Sequence, residues 1–349
     1  MSEVIHHDRR RFLGIAVMTT AAAKLVMIGA TDAQSSKIHP SDVPMITPGS
    51  HTSFGPLKQI DAGVLNVGDA EAGPADGPAV MLLHGWPYDI HSYVNIAPML
   101  AAHGCRVIVP HLRGHGTTRF LDSATPRSGQ QASLVADVIA LMDALSMPRA
   151  ALWPERCTGL VSVNSYLIQD IAKAALPLPA KIEAGFWYQY YWLTERGRAG
   201  LMANRRDIAR IMWTRNSPHW HFDDATFDRS ATAFDNPDYV DVVIHSYRHR
   251  LGFAAGYPPY EEIEKRLATQ PAIMVPTITL DGDADGVVPA TDGQSTAAKF
   301  AGERQHRVIP NGSAVPCAPC RRRLAHISFR FPRPQRGAPA PPERPGAKR

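Results

Sequence analysis

Four residues that could support hydrolytic chemistry follow the first strongly apolar run of the chain. Residues 79–83 have the continuous apolar character of a strand buried on both faces, and His84-Gly85-Trp86-Pro87 comes directly after them. A loop at a strand end can present backbone N–H groups to an oxygen that becomes negative in acyl or alkyl-ester chemistry. The pattern predicts an oxyanion loop; the alternative is a plain strand-to-helix turn. We refer to these residues as the 84–87 loop.

An oxyanion loop needs a nucleophile on a later strand, and the chain leaves little room for one. A helical pattern ends at Leu145 and the next apolar run starts at Gly159, so that only residues 146–158 lie between them. A strand, a sharp turn and a helix together need roughly 18–20 residues. We therefore expect one central strand of the sheet to be missing.

The order of the remaining elements predicts an α/β fold with a doubly wound, mostly parallel sheet. A hairpin is predicted at 57–67, with Asp61-Ala62-Gly63 at its turn. The other predicted strands and helices alternate along the chain. The strands are 79–83, 106–110, 160–163, 273–280 and 306–309, and the helices are 91–103, 132–145 and one near 291–300.

Six segments follow from changes in composition and periodicity. Between the sheet halves, aromatic residues cluster and the pattern is helical throughout, which predicts an inserted helical cap. The segments are an export signal (1–33), a linker (34–56), the first core part (57–168), the cap (169–268), the second core part (269–312) and a tail (313–349).

The motifs resemble the α/β-hydrolases, and within them the epoxide hydrolase-like branch, over about residues 57–312. The resemblance rests on the 84–87 loop, on His111-Leu112-Arg113-Gly114-His115-Gly116, on Trp153-Pro154-Glu155-Arg156, on two cap motifs and on Gly282-Asp283-Ala284-Asp285 with Pro289. It implies an α/β-hydrolase sheet with a helical cap and a backbone N–H of Trp86 that stabilises an oxyanion. The loop at 111–116, where His111 replaces the family's usual Asp, is expected to shape the pocket rim.

The cap motifs supply the clue to the reaction. Phe186-Trp187-Tyr188-Gln189-Tyr190-Tyr191-Trp192 is similar to the first cap motif of epoxide hydrolases, and Ser246-Tyr247-Arg248 is similar to the second. The resemblance implies that Tyr188 and Tyr247 hydrogen-bond the epoxide oxygen and protonate it as the ring opens. A phenol suits this role because it donates without being ionised at neutral pH. Core packing is the alternative for each tyrosine.

The resemblance also assigns an acid and shows what the chain lacks. Asp285 is implied to be the triad acid that orients the catalytic histidine, with a solvated loop carboxylate as the alternative. No G-x-[Ser/Asp]-x-G elbow occurs in the chain, so no nucleophile is identified. The expected Gly-His after the last strand is replaced by Gly312-Ser313.

The two ends of the chain have their own signatures. Asp8-Arg9-Arg10-Arg11-Phe12-Leu13-Gly14 resembles the twin-arginine export motif, which predicts a periplasmic or extracellular protein; a cytosolic start is the alternative. The following apolar stretch is broken by Lys24, so we expect no stable membrane span. The tail carries a net charge of +8, whereas residues 1–312 carry −3, so we expect no nucleic acid partner for the folded part.

Together these patterns predict an exported hydrolase of epoxide hydrolase-like lineage that acts on an apolar epoxide or related small electrophile. Without a nucleophile or a catalytic histidine, we expect this chain to be inactive or severely impaired. Haloalkane or haloacid dehalogenase and esterase activity are the alternatives within the fold; a non-catalytic scaffold or a binding protein that uses the basic tail is the alternative outside it. No cofactor or metal is expected, since the isolated pair Cys317 and Cys320 falls short of the four ligands of a structural zinc site.

Overall fold

The computed structural model describes residues 25–28, 53–147, 157–164 and 166–312, with the backbone alone for 25–28. Nine strands of this part form one mixed sheet. They are β1 (Leu25–Ile28), β2 (Lys58–Ala62), β3 (Leu65–Ala72), β4 (Ala79–Leu82), β5 (Arg106–Pro110), β6 (Arg119–Phe120), β7 (Leu160–Val163), β8 (Thr277–Gly282) and β9 (Arg304–Ile309).

The strand order is β2-β3-β5-β4-β1-β7-β8-β9, with β6 paired to β3 outside this path. The pairs β4/β5, β7/β8 and β8/β9 are parallel, and β2/β3 and β3/β5 are antiparallel. Because the carboxyl ends of parallel strands meet at one edge, the loops after β4, β5 and β8 gather there. That edge is where ligands bind in open α/β sheets.

The centre of the sheet is closed by a segment far away in sequence. The position between β4 and β7 is occupied by β1, which is antiparallel to both neighbours. Val26 lies opposite Leu82 on one side and opposite Val161 on the other. Residues 148–156, where we predicted the loss of a strand, lie outside the described residues. The sheet is thus continuous through its centre, but a strand from the predicted export signal fills the position.

Two helices cover opposite faces of the sheet. The helices outside the cap that precede β7 are α1 (Ile96–Ala102) and α2 (Gln131–Ala144). Val80 and Leu82 pack in one apolar cluster with Leu100 of α1, whereas Met81 packs in another with Val138 and Met142 of α2. Alternate residues of β4 therefore face opposite sides, as expected for a strand buried on both faces.

The chain between β7 and β8 is helical. Its α-helices are α3 (Ala180–Gly185), α4 (Trp187–Tyr191), α5 (Glu195–Asn216), α6 (Asp224–Ala231), α7 (Tyr239–Arg250) and α8 (Glu261–Ala268). The helices α4 to α7 share a buried, largely aromatic cluster with Trp86 and Tyr88 from the core. We call α3 to α8 the cap, and its packing on the first loop after β4 places it over the strand ends.

Four predicted elements differ from the structure in type or by more than two residues. The second strand of the hairpin predicted at 57–67 continues to Ala72. The helix predicted at 91–103 is a 3-10 turn at Ile90–Tyr93 followed by α1; since Pro98 cannot donate to a preceding carbonyl, it fits only the first turn of a helix. Strand β8 begins at Thr277, just after Pro276, rather than at 273. The predicted helix near 291–300 is a 3-10 helix at Gln294–Lys299.

Within the described ranges, no helix combines the length and apolar character of a membrane span.

Candidate active site

The 84–87 loop leaves β4 at the edge where the parallel strands end. His84 is fully buried, and its Nε2 accepts a hydrogen bond from the Leu112 N–H at 3.1 Å. Since Leu112 follows β5, this bond joins the loops after two adjacent strands. The Trp86–Pro87 peptide bond is cis. Among the described residues none accepts a hydrogen bond from the Trp86 N–H, so this donor can serve an oxygen of a bound molecule.

Tyr188 and Tyr247 lie together beneath the cap. Both side chains are buried, and their ring centroids are 5.6 Å apart with an interplanar angle of 81°. Trp86 stacks on Tyr188 at 5.4 Å and meets Tyr247 edge-on at 5.9 Å. The structure therefore brings three of the predicted site residues into one contact group, although the two tyrosines come from helices α4 and α7.

Both phenols of this pair keep their protons at neutral pH. Burial raises the pKa of Tyr188 well above its usual value, and the neighbouring Tyr247 raises it further. Burial also raises the pKa of Tyr247, against the opposing effect of Arg250, whose guanidinium lies 4.6 Å from the centre of that ring. Tyr188 Oη makes no hydrogen bond of normal geometry among the described residues, although the side chains of Gln189 and Tyr247 lie close enough to affect its pKa. A buried, neutral phenol suits a site for a neutral oxygen.

Asp285 lies in the turn that follows β8. Its Oδ1 accepts hydrogen bonds from the N–H groups of Val287 and Val288, both at 2.8 Å. These valines belong to the same buried cluster as Trp86 and Tyr188. The carboxylate is thus fixed by its own loop, and the loop packs against the cap at the same edge as the tyrosine pair.

A second acid, Asp281, is more deeply buried than Asp285 and was not singled out from the sequence. Its Oδ2 accepts from the N–H and the hydroxyl of Thr291, at 3.0 and 2.8 Å. His306 Nε2 lies 3.9 Å from the same oxygen but is 2.9 Å from the Thr291 carbonyl, to which it donates. These contacts join the end of β8 to β9 and to the loop at Thr291 between them, which is a structural role.

The loop at 111–116 was predicted to shape the pocket rim, and its histidines are buried. Burial lowers the pKa of both His111 and His115 to about 4, so both are neutral at pH 7. His115 lies edge-on to His84, with ring centroids 5.0 Å apart. Arg113 of the same loop forms a buried, two-point ion pair with Asp137 of α2, at 2.6 Å for each contact.

The nucleophile and the catalytic histidine are not among the described site residues. The sequence analysis placed the missing elbow within residues 146–158, of which 148–156 lie outside the described residues. The same holds for the tail from Ser313 onward. In the part that the structure describes, no group of three or more His, Cys, Asp or Glu side chains could hold a metal ion.

Sequence reasoning missed two residues that bind the 84–87 loop to the cap. Tyr239 Oη accepts a hydrogen bond from the Trp86 indole at 2.7 Å. Trp213 donates its indole N–H to the Pro87 carbonyl at 2.6 Å. A signal for Tyr239 existed, because it lies eight residues before Tyr247, about two helical turns along α7. Trp213 offered no comparable signal within its helical run.

Comparisons with known proteins agree with this architecture. A family model for the alpha/beta hydrolase fold matches residues 78–153. A crystal structure of a candidate epoxide hydrolase from Klebsiella pneumoniae subsp. pneumoniae superposes with a TM-score of 0.75 at 46% identity, covering 79% of this chain and 96% of the other. Epoxide hydrolase A of Mycobacterium tuberculosis is 26% identical over 290 residues, 72% of this chain and 88% of that protein. The magnesium-chelatase 30 kDa subunit of Rhodobacter capsulatus is 26% identical over 261 residues, 70% of this chain and 84% of its own.

Proposed function

Because the chain belongs to the epoxide hydrolase-like α/β-hydrolases, we propose that its cap presents Tyr188 and Tyr247 as paired donors to the oxygen of an apolar epoxide. The observation that carries the proposal is the buried contact between the two phenols, with ring centroids 5.6 Å apart and Trp86 against both. Two neutral O–H donors in an apolar, water-excluded setting favour a neutral acceptor that gains negative charge during reaction.

The parental reaction has two steps. A carboxylate attacks one ring carbon, the carbon–oxygen bond breaks, and the leaving oxygen takes a proton from a phenol as the ester forms. Water activated by a histidine, which Asp285 would orient, then hydrolyses the ester and releases a diol. The Trp86 N–H would stabilise the oxygen that carries charge during the second step.

We further propose that the chain as written is inactive or severely impaired in this reaction. The support is the absence from the sequence of any G-x-[Ser/Asp]-x-G elbow and of a Gly-His after the last strand. Removing members of a catalytic triad costs about 10⁴–10⁶-fold in rate. Purified full chain should therefore show no turnover of styrene oxide above the uncatalysed rate. Turnover that disappears in Tyr188→Phe would contradict the proposed inactivity.

A binding measurement tests the role of the tyrosine pair without requiring a nucleophile. Phenylacetamide, an apolar molecule with a neutral carbonyl acceptor, should bind to the full chain and lose about 2–10-fold in affinity in Tyr188→Phe or Tyr247→Phe. Tyr166→Phe is the matched control, because the Tyr166 hydroxyl is also buried but donates to the Pro271 carbonyl at 2.7 Å in a different cluster. Equal losses in all three variants would count against the pair as the binding site.

The pH dependence of that binding follows from the direction of the phenol pKa values. Since burial raises the pKa of both Tyr188 and Tyr247, both remain donors at neutral and mildly alkaline pH. Titration of phenylacetamide between about pH 6 and 9 should give a constant dissociation constant. A loss of affinity in that range would show that an ionising group other than the pair controls binding.

The alternatives within the fold are separated by substrate panels. A chloroalkane would report dehalogenase activity and a p-nitrophenyl ester would report esterase activity. For the tail at 313–349, binding to nucleic acid or to anionic vesicles should weaken steeply with salt and vanish on truncation after Gly312.

Export through the twin-arginine pathway is a proposal that rests on residues 8–14. Cell fractionation with an N-terminal sequence of the mature chain tests it: a periplasmic form that begins near residue 34 supports export, and a full-length cytoplasmic form opposes it.

A further inference from the structure

Two indole hydrogen bonds join adjacent residues of the 84–87 loop to two different cap helices. Trp86, on the loop, donates to Tyr239 Oη of α7 at 2.7 Å. Trp213, on α5, donates to the carbonyl of Pro87 at 2.6 Å. All three aromatic side chains are buried. The loop is therefore held to the cap at two adjacent residues, through the Trp86 indole as a donor and through the Pro87 carbonyl as an acceptor.

The position of Trp86 matters for the rest of the candidate site. Its ring stacks on Tyr188 at 5.4 Å with an interplanar angle of 28° and lies edge-on to Trp192 at 4.7 Å. Its backbone N–H is the predicted oxyanion donor. A displacement of the 84–87 loop would move both the indole wall beside Tyr188 and that N–H.

The hydroxyl of Tyr239 is not explained by packing alone. Its ring meets Phe234 at 5.3 Å and His115 edge-on at 5.2 Å, contacts that a phenylalanine ring would also make. A fully buried hydroxyl is unfavourable unless it is hydrogen-bonded. The Trp86 indole satisfies it and is satisfied in return. The same argument holds for Trp213, whose ring stacks on Tyr88 at 5.2 Å while its N–H reaches the loop carbonyl.

We propose that Tyr239 and Trp213 are positioning residues of this active site. Through the two indole hydrogen bonds they fix the Trp86 ring and the 84–87 backbone against the cap, so that loop and cap tyrosines face one bound oxygen as a rigid unit. The consequence for ligand binding rests on the proposed function; the rigidity of the loop does not.

The test compares Tyr239→Phe and Trp213→Phe with Tyr166→Phe, which removes a buried hydroxyl in another cluster. Hydrogen exchange of the Trp86 indole N–H and of the Trp86 and Tyr88 amides reports on the loop, and thermal unfolding reports on overall stability. Tyr239→Phe and Trp213→Phe should speed loop exchange at least about 10-fold beyond Tyr166→Phe at similar Tm. The Trp86 indole resonance should move upfield in Tyr239→Phe alone.

Affinity for phenylacetamide gives the second readout. Both positioning variants should bind about 3–10-fold more weakly than wild type, while Tyr166→Phe binds as wild type does. Loop exchange equal to that of Tyr166→Phe, or unaltered affinity despite faster exchange, overturns the positioning role. If wild type binds no phenylacetamide, the proposed function fails, and the exchange data alone then decide whether the two bonds hold the loop.

Discussion

The cap and the centre of the sheet are held together by different kinds of contact. In the cap, helices α4 to α7 share one buried cluster with Trp86 and Tyr88, and two buried hydrogen bonds cross from it to the core. At the sheet centre, β4 and β7 are joined by the four-residue β1, which runs antiparallel to both. The tyrosine pair of the cap was expected from the motifs, whereas the central strand comes from the N-terminal segment of the chain.

The difference separates the two parts of the proposed site, one that would bind the substrate and one that would react with it. In the proposed reaction, the phenol pair and the 84–87 loop would bind the substrate oxygen, and the structure describes all of these residues. The reacting part would stand at the carboxyl end of the strand between β4 and β7, where a nucleophile elbow belongs. In its place β1 enters with reversed direction, so its carboxyl end lies at the opposite edge from the ends of β4 and β7. A strand in this direction completes backbone pairing without presenting a nucleophile to the cap.

The largest effect is expected from removing β1. Deletion of residues 1–33 would leave β4 and β7 without their shared neighbour, and unpaired backbone groups in a buried sheet are costly. Given a native margin of about 5–15 kcal/mol, we expect loss of cooperative unfolding and loss of exchange protection in β4 and β7. Circular dichroism melting and amide exchange measure both.

The matched control is deletion of residues 1–20, which leaves β1 in place and should keep the wild-type Tm. Val26→Pro is a point test, since Val26 is paired on both sides and proline removes its N–H from the ladder. A fully protected sheet in the longer deletion would contradict the role of β1. It would also be the result compatible with cleavage on export, because cleavage near residue 33 removes the same strand.

Asp137→Ala tests how much a buried ion pair in the first core part contributes to the free energy of unfolding. It leaves the buried Arg113 guanidinium without its carboxylate partner, and breaking a buried ion pair costs about 3–5 kcal/mol. Chemical denaturation should show this loss in the global transition. The double variant Asp137→Leu with Arg113→Met removes both charges and should recover most of it; no recovery would mean that the pair is needed for more than charge compensation.

Trp192→Ala is the corresponding change in the cap. Trp192 is fully buried and lies 4.7 Å from both Trp86 and Tyr247, so its truncation should cost about 3–5 kcal/mol. If cap and core unfold as one unit, exchange protection falls equally in α7 and β5. If only α4 to α7 lose protection, the cap is a separate cooperative unit, and the two hydrogen bonds to the 84–87 loop do not couple it to the sheet.

The sequence predicted some features of the sheet and the cap correctly and missed others. Strands β5 and β7 were predicted with the observed bounds, because continuous apolar runs bounded by glycine, proline or polar residues leave little ambiguity. The tyrosine pair could be predicted because its members lie in recognisable motifs. Trp213 could not be predicted, since its role depends on a contact with a residue more than a hundred positions away, and the position of Tyr239 two turns before Tyr247 did not indicate its partner. The use of Leu25–Ile28 as a central strand was equally inaccessible, because four apolar residues in a signal-like segment carry no pairing information.

The smallest expected effect concerns buried polar groups. Those of the cap include neutral phenols, whereas the sheet contains a buried carboxyl group, Asp69. Asp69 of β3 is 1% exposed, and neither carboxylate oxygen has a hydrogen-bond partner among the described residues. Burial, helped by the negative charge of Glu71, raises the pKa of Asp69 from 3.8 to about 6. The folded protein therefore binds this proton more tightly than the unfolded chain. The contribution of Asp69 to stability is most favourable below about pH 4 and is lost as the pH rises through about 6.

Asp69→Asn removes that titration. The variant should be more stable than wild type at pH 7 by roughly 1–2 kcal/mol, after allowing for solvent screening, and equal to it near pH 4. Denaturation at a series of pH values measures the difference, with Asp76→Asn in an exposed turn as the control. A difference that stays constant from pH 4 to 7 would show that the amide changes packing rather than charge. If the stability difference between Asp69→Asn and wild type grows only between pH 4 and 7, the pH dependence of folding comes from Asp69 in the sheet. The buried hydroxyls of the cap stay neutral over this range and do not contribute to it.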